Sequence, residues 1–512
     1  MTTKLGETRP LFVGAVLLAA IGVALRLWHV AAQPMWLDEA YSAYAAGKSF
    51  AFLWQIVPRY ETHPPFYYSL LRLWTLSFGD TLAAERALGA VAGLLTPLVI
   101  AWTAATLATW QGWERQRRHL TMFVAFALAC LSIPLVEMTR EVRPYPLMIL
   151  VYAVAVRALI GIARRREAGK PLPGGAFAAY LVCVELMLWL HNLGPLWATA
   201  LGLAALVALT IRTPARTDWG WFVAGHAAVV IFYLPALGIL MDQAPTWVRS
   251  TWLRFSSQSL IDHLPVLYAV PGWQGLMALA LAVLAVAALI RVARGRRLLA
   301  MLAILAIVPT ALSITLSITV APVFITRTLT PVAVPWLILL TIGVTSPRGR
   351  MAWIGAGAAL ILAANMLAVG VQARRGPPLQ NWYGAIQWLE PRRGRDDLIL
   401  AYPNEGALPL QRALKDKGFG WRVMPVPGAV PALASGGWHP TGSRGVVSLP
   451  KAQLETIARS AAVANVRQVW LLRLGASAYD PGDEFLKALR RDRRMTAHFV
   501  DGPIDIIGLT KK

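Results

Sequence analysis

Cysteine is almost missing from this chain, with two in 512 residues, Cys130 and Cys183. Both lie inside apolar runs, where a small soft hydrophobe is an ordinary occupant, so neither a disulfide framework nor a zinc ribbon is available. Charge is scarce as well, at 15% of residues, and acidic residues are the scarcer kind, with 26 Asp and Glu against 49 Lys and Arg. A soluble multidomain protein is excluded by that shortage together with 57% hydrophobic residues and a mean hydropathy of +0.53. The formal net charge of +23 invites a nucleic-acid partner. However, the basic residues sit in short clusters between apolar runs rather than along one soluble face, which argues against that partner.

Apolar runs of about spanning length are what the chain has in abundance. The first, Leu11 to Ala32, is too long for a signal peptide and lacks a small-residue cleavage site, so it reads as a retained span. Ten more fall at 83–108, 120–137, 144–163, 175–191, 195–211, 219–240, 273–292, 299–319, 326–345 and 351–371. The basic clusters Arg115/Arg117/Arg118, Arg164/Arg165/Arg166/Lys170, Arg212/Arg216, Arg291/Arg294/Arg296/Arg297 and Arg348/Arg350 occupy every second connection, with Lys4 and Arg9 before the first span. The positive-inside rule makes those connections cytoplasmic. The N-terminus is then cytoplasmic, and eleven spans leave the C-terminal segment on the outer side. Counting Pro65–Gly79 as a crossing would throw every later basic cluster outward, so this run reads as an amphipathic interfacial helix with Arg72 snorkelling.

The expected fold class is therefore a polytopic α-helical membrane protein with outer juxtamembrane helices. Residues 1–372 form the membrane region, including a long outer loop at 33–82, and 373–512 form a periplasmic α/β domain. In the latter, helical pieces (Trp382–Leu389, Leu408–Lys417, Ala452–Ala462, Glu484–Arg491) alternate with strand-like ones (Asp397–Ala401, Arg422–Val426, Gln468–Leu472, Ile504–Leu509). It contains no Gly-rich phosphate fingerprint and no nucleophile elbow, and no tandem repeat is evident in the chain.

Chemistry-bearing residues gather on the outward connections. The first loop opens with Trp36-Leu37-Asp38-Glu39-Ala40-Tyr41-Ser42. Neighbours on a helix point about 100° apart, so one of the two carboxylates faces a site, and Asp38 is equally suited to be the N-cap of an interfacial helix. The same loop carries Glu61-Thr62-His63-Pro64-Pro65, whose prolines hold His63 at a defined place. A later short loop reads Arg140-Glu141-Val142-Arg143-Pro144-Tyr145, either interfacial anchoring or an anion- and hydroxyl-binding cluster. Arg327 stands at the outer end of a span, where a guanidinium can grip phosphate. His191 ends the fifth span. Glu185, six residues deeper, is either functional or ion-paired to Arg26 or Arg157.

In order and predicted side, four of these segments resemble the GT-C glycosyltransferases, especially bacterial members related to protein O-mannosyltransferases and lipid A aminoarabinosyltransferases. They are Arg26-Leu27-Trp28 through Ser42, Thr62-His63-Pro64-Pro65 with Tyr67-Tyr68, Arg140 to Tyr145, and the Arg327 region. Val142 replaces the family's usual Ala, and Thr328-Leu329 follows Arg327 where a Tyr often stands. The resemblance implies an inverting transferase that moves a sugar from a polyprenyl-phosphate donor to a hydroxyl of an envelope glycan, lipid or protein on the periplasmic side. It maps the general base onto Asp38 and lipid-phosphate binding onto Arg327. Glu39, His63, Glu141, Arg143, Tyr145 and His191 become supporting contacts to donor or acceptor. Related oligosaccharyltransferases use a divalent metal, but the carboxylates here form no ligand pattern that supports one, so no cofactor is assigned. The competing reading is a transporter of polyprenyl-linked glycans, or a non-catalytic binder of them. A transporter would place its polar residues near the midplane.

Overall fold

The computed structural model describes residues 9–251, 253–268, 274–439, 444–476 and 480–512. Lys4, residues 269–272 of one expected outer connection and the start of the 273–292 run lie outside the described residues. The chain divides into two compact units. One takes in the described parts of Met1–Trp28, Arg86–Gly238 and Leu253–Gly376. The other takes in His29–Glu85, Ile239–Trp252 and Pro377–Lys512. The first long connection thus joins the compact unit that holds the C-terminal sheet.

The first unit is helical. A helix coincides with the core of every apolar run read from the sequence, from Arg9–Leu27 through Arg350–Arg375. Six helices among the described residues are long and apolar enough to cross a membrane: Leu82–Trp110, Tyr145–Glu167, Arg216–Arg249, Ala293–Thr319, Thr326–Thr345 and Arg350–Arg375. Leu11–Leu27, Gly175–Leu190, Gly194–Leu209 and Gly275–Leu289 are shorter and apolar. Two runs read as continuous are broken. The 120–137 run stops at Leu131 and restarts as Ile133–Met138 with Pro134 in its first turn, because proline there can donate no intrahelical hydrogen bond. The 326–345 run passes through a 3-10 turn at Thr330–Val332, which contains Pro331.

Helices in this unit approach closely where side chains are missing. A Cβ on Gly343 would lie 2.0 Å from the Leu281 carbonyl oxygen, and one on Gly93 would lie 2.3 Å from Thr139 Oγ1. Gly89, one turn earlier, faces the Thr139 carbonyl at 2.8 Å. The pair Gly89 and Gly93 thus clears one face of Leu82–Trp110, and the segment leading into Arg140–Arg143 presses into it.

Arginines from the basic clusters satisfy carbonyls at helix C-termini, groups that no helix can satisfy internally. Arg117 Nε donates to Thr345 O at 2.6 Å, Arg166 Nε to Leu209 O at 3.3 Å, and Arg294 Nη1 to Trp110 O. Arg26, buried in the first helix, donates to Cys130 O at 2.8 Å and Ala129 O at 3.2 Å.

The second unit contains a five-stranded sheet: β1 (Leu398–Ala401), β2 (Val423–Pro425), β3 (Gln468–Leu474), β4 (Arg493–Asp501) and β5 (Ile504–Lys511), in the order β2-β1-β3-β5-β4. β1 pairs in parallel with β2 and β3; β5 pairs antiparallel with β3 and β4. Side chains alternate across the sheet. Ile399, Ala401, Trp470, Leu472, Ile504 and Ile506 pack with Trp382–Leu389 and Ala407–Lys417. Leu398, Leu400, Val469, Leu471, Ile507 and Leu509 pack on the other face with Leu454, Phe485 and Leu489. The sheet is therefore the middle of three layers. Leu37–Ala46 and Phe66–Phe78, from the first long connection, pack on each other in this unit, and Ala407–Lys417 packs on the former. At 13 residues, Phe66–Phe78 is about 20 Å long, short of a bilayer's hydrocarbon core of about 30 Å.

Candidate functional site

In the second unit two carboxylates of the first long connection, Asp38 and Glu61, converge on one arginine. Asp38 is not the N-cap that its position suggested. The helix Leu37–Ala46 begins one residue earlier, after Trp36, and has no side-chain cap. Its Leu37 N–H is taken up by Gln380 Oε1 at 3.0 Å, so a distant amide does the capping and leaves the Asp38 side chain for another partner. That partner is Arg444, whose Nη1 lies 3.0 Å from Asp38 Oδ1 and whose Nε donates to Glu61 Oε2. The guanidinium also lies over the Tyr41 ring, 4.6 Å from its centroid.

Glu61 is the most heavily bonded group here. Its Oε1 accepts from the His63 backbone N–H at 3.2 Å, and His63 Nδ1 is 2.7 Å away. Burial works to raise the Glu61 carboxyl, but Arg444 and His63 outweigh it and hold the group well below the usual carboxylate range. Tyr41 and Tyr60 share a hydrogen bond of 2.7 Å between their hydroxyls. Burial pushes both phenols well above their ordinary range, and the Glu61 carboxylate adds to the rise.

The backbone around Arg444 explains how it reaches so far. Arg444 adopts a left-handed φ of 61°, uncommon for a residue with a side chain. The next residue must be glycine, because a Cβ on Gly445 would lie 2.8 Å from Asn404 Oδ1 and 3.0 Å from Glu405 Cβ. Asn404 Oδ1 accepts from the Val446 N–H at 2.7 Å, and this clamps the turn. Glu405, buried beside it, is pushed well above the usual carboxylate range by desolvation. Arg444 opposes that rise, while Asp38 and Glu61 add to it. A cavity of about 310 Å³ opens beside the same helices, lined by Tyr44, Lys48, Asp80, Glu85, Arg412 and Lys415 among others. Its charges pair as Arg412 with Glu85 and Lys415 with Asp80.

Of the residues singled out in the sequence, Asp38 and His63 thus meet in one network through Glu61 and Arg444. Glu39 is buried on the same helix as Asp38. Sequence reasoning missed Arg444 and Glu405. No local signal marks Glu405, and the only hint of Arg444 in the sequence is a polar Gly-Ser-Arg-Gly stretch.

In the first unit Arg143, Tyr145 and His191 form a line. The Arg143 guanidinium is 5.8 Å from the centroid of the Tyr145 ring, which is 5.9 Å from that of His191. Arg143, Tyr145 and His191 are buried, whereas Glu141 is half-buried. His191 Nδ1 accepts from the Leu193 N–H at 3.0 Å, so in the neutral ring the proton sits on Nε2. Arg327 lies in the short helix Thr326–Leu329 and is half-buried. The 3-10 turn after that helix packs against Tyr145–Glu167.

Glu185 accepts from Trp189 Nε1 at 2.7 Å. It has no ion pair with Arg26 or Arg157 among the described residues: Arg26 is bound to carbonyls, and Arg157 lies over the Trp102 ring at 4.4 Å. A mainly apolar cavity of about 260 Å³ opens where the 120–137 run breaks, lined by Pro134, Glu137, Leu267, Trp336, Leu337 and Met366 among others. No cluster of three or more His, Cys, Asp or Glu that could hold a metal is found among the described residues.

No family model and no curated protein matches the chain. Solved structures do. ArnT from Cupriavidus metallidurans in the apo state is similar over 99% of this chain and 98% of its own, with a TM-score of 0.61 at 13% identity. The same protein bound to undecaprenyl phosphate has a TM-score of 0.56 at 12% identity, covering 98% of each chain. The Archaeoglobus fulgidus oligosaccharyltransferase in its apo form reaches a TM-score of 0.50 at 11% identity, over 98% of this chain and 74% of its own. At such identities the likeness is one of fold: the chain shares the fold of ArnT and of the archaeal oligosaccharyltransferase.

Proposed function

We infer that the protein is an inverting membrane glycosyltransferase that takes a sugar from a polyprenyl-phosphate donor and passes it to a hydroxyl of an envelope glycan, lipid or protein. The observation that carries this reading is the Asp38 carboxylate, fixed in the first turn of its helix by Arg444, in a chain with the GT-C fold. An acceptor hydroxyl is a poor nucleophile at neutral pH, and a positioned carboxylate that takes its proton as it attacks the anomeric carbon is what such a reaction needs. The leaving group is a lipid phosphate, already a weak base, so it requires charge stabilisation rather than a strong acid.

Arg327 is assigned that phosphate. Glu39, His63, Glu141, Arg143, Tyr145 and His191 are assigned as contacts to donor or acceptor. The undecaprenyl phosphate held by ArnT and the mainly apolar cavity at the broken helix both support a lipid-linked donor here. In the arrangement that goes with this reading, eleven spans at 1–372 lie in a bacterial inner membrane. The N-terminus is then cytoplasmic, and the first long loop and residues 373–512 are periplasmic.

The test is Asp38→Asn in purified full-length protein given polyprenyl-phosphate-linked sugars extracted from membranes and a crude envelope acceptor. Loss of a general base lowers kcat by about 10²–10⁴-fold. Undiminished transfer removes Asp38 from the role. Arg327→Ala is expected to weaken donor binding by about tenfold or more through the lost charged hydrogen bonds. Unchanged donor affinity moves the phosphate elsewhere.

A further inference from the structure

We propose that Arg444, supplied by the C-terminal part of the chain, is a positioning residue for the reaction: it holds Asp38 ionised and correctly aimed, so the C-terminal sheet region acts in catalysis through this one side chain. The proposal rests on the reading of Asp38 as the base. It gives the C-terminal region a role that its lack of any phosphate fingerprint or nucleophile elbow does not suggest.

The geometry is that of a bridge. Arg444 presents Nη1 to Asp38 and Nε to Glu61, and its planar face covers Tyr41. Three directions are thereby fixed at once, which a lysine's single ammonium cannot reproduce. The side chains of Arg444 and Glu61 are 6% and 1% exposed, whereas Asp38 keeps 13%. Of the two bonded carboxylates, Asp38 is therefore the one that an acceptor can reach.

Glu61 serves the same end from behind. It is bonded to the other edge of the guanidinium and to His63, so Arg444 cannot rotate away without breaking a buried pair. The turn that carries Arg444 is itself fixed by Gly445 against Asn404 and Glu405. Around the guanidinium, Glu61 and Glu405 face the cluster, His63 touches it through Glu61, and Tyr41, Tyr60 and Tyr68 are phenols. Arg444 is the one permanent cation among these groups.

The experiment compares Arg444→Met, Arg444→Lys and the double variant Glu61→Gln/Arg444→Met in the full-length protein. The double variant removes one negative and one positive charge together, so the cluster keeps its net charge and the fold is protected from an unpaired buried carboxylate. Two readouts are used: the pH profile of transfer from extracted polyprenyl-phosphate sugars, and the ionisation of the Asp38 carboxylate followed by infrared difference spectra against Asp38→Asn.

In Arg444→Met the acid limb, and the infrared titration with it, should move to higher pH by about one unit or more, because a cation within bonding distance of a carboxylate favours its ionised form by that much. Arg444→Lys should keep the acid limb near its original place while lowering kcat, since charge is retained and orientation is not. The double variant should melt like the wild type yet lose kcat by about tenfold or more at unchanged KM for the donor. A wild-type acid limb in Arg444→Met, or a wild-type kcat in the double variant, overturns the proposal. Asp38→Asn in the same assay separates the two failures. Full transfer there overturns the base assignment itself, whereas lost transfer there with a wild-type Arg444→Met overturns only the role of Arg444.

Discussion

Glu61 and Glu405 are buried around the same guanidinium but are shifted in opposite directions from the ordinary carboxylate range. Glu61 is held below the usual carboxylate range in the fold, so its contribution to stability is present above its unfolded value and is lost as pH falls through the lower folded one. Glu405 is held above that range, so its contribution is present below the unfolded value and is lost as pH rises through the higher folded one. Glu61→Gln should therefore flatten the loss of thermal stability on the acid side. Glu405→Gln should raise the melting temperature relative to wild type on the alkaline side, where the natural chain would have to bury a charge. Melting curves across pH in detergent check both, and a Glu405→Gln variant that tracks wild type throughout would show that Glu405 reaches solvent. The sequence displayed Asp38, Glu61 and His63 as a carboxylate-rich loop. It could not display Arg444, because that residue lies 406 positions from Asp38 and 383 from Glu61. An ion pair over such a separation leaves no periodicity or spacing to read.

At the scale of elements, helix contacts in the first unit rest on missing side chains as much as on apolar ones. Gly343 is placed where a Cβ would be 2.0 Å from a backbone oxygen of the neighbouring helix, and a backbone cannot yield as a side chain can. Gly343→Ala should force the two helices apart and destabilise the protein by about 1–3 kcal/mol, the range for overpacking. Gly357→Ala is the control. It lies in the helix Arg350–Arg375, where a Cβ would meet nothing within 4 Å, and the exchange should be neutral or stabilising by about 1 kcal/mol or less. Equal melting temperatures for the two variants would refute the close-contact argument.

Element existence was legible wherever one periodicity ruled a segment, as in the apolar runs and the helices Trp382–Leu389 and Ala407–Lys417. It failed at β4. Arg493–Asp501 is an edge strand with Arg494, Met495 and Val500 exposed, and its mixed charges are what protect an open sheet edge. The same charges erase the alternation from which a strand is read. The break at Ser132 was hidden for the opposite reason, since Pro134 sits in a stretch apolar on both sides and hydropathy alone runs straight through it.

For the whole molecule, the arginine clusters play two parts. As charges in every second connection they carry the proposed orientation of the chain. As donors, Arg117, Arg166 and Arg294 satisfy the carbonyl ends of helices in the first unit. The proposed orientation puts Ala168 on the cytoplasmic side and Val500 on the periplasmic side, and both positions are exposed. The two natural cysteines are buried, so single cysteines introduced at these positions report without much background. Val500→Cys should react with a membrane-impermeant maleimide in spheroplasts, and Ala168→Cys should react only after the membrane is opened. The reverse pattern would place Arg444 and Asp38 in the cytoplasm, where a sugar presented on the outer leaflet could not reach them, and would remove the proposed reaction from that face of the membrane.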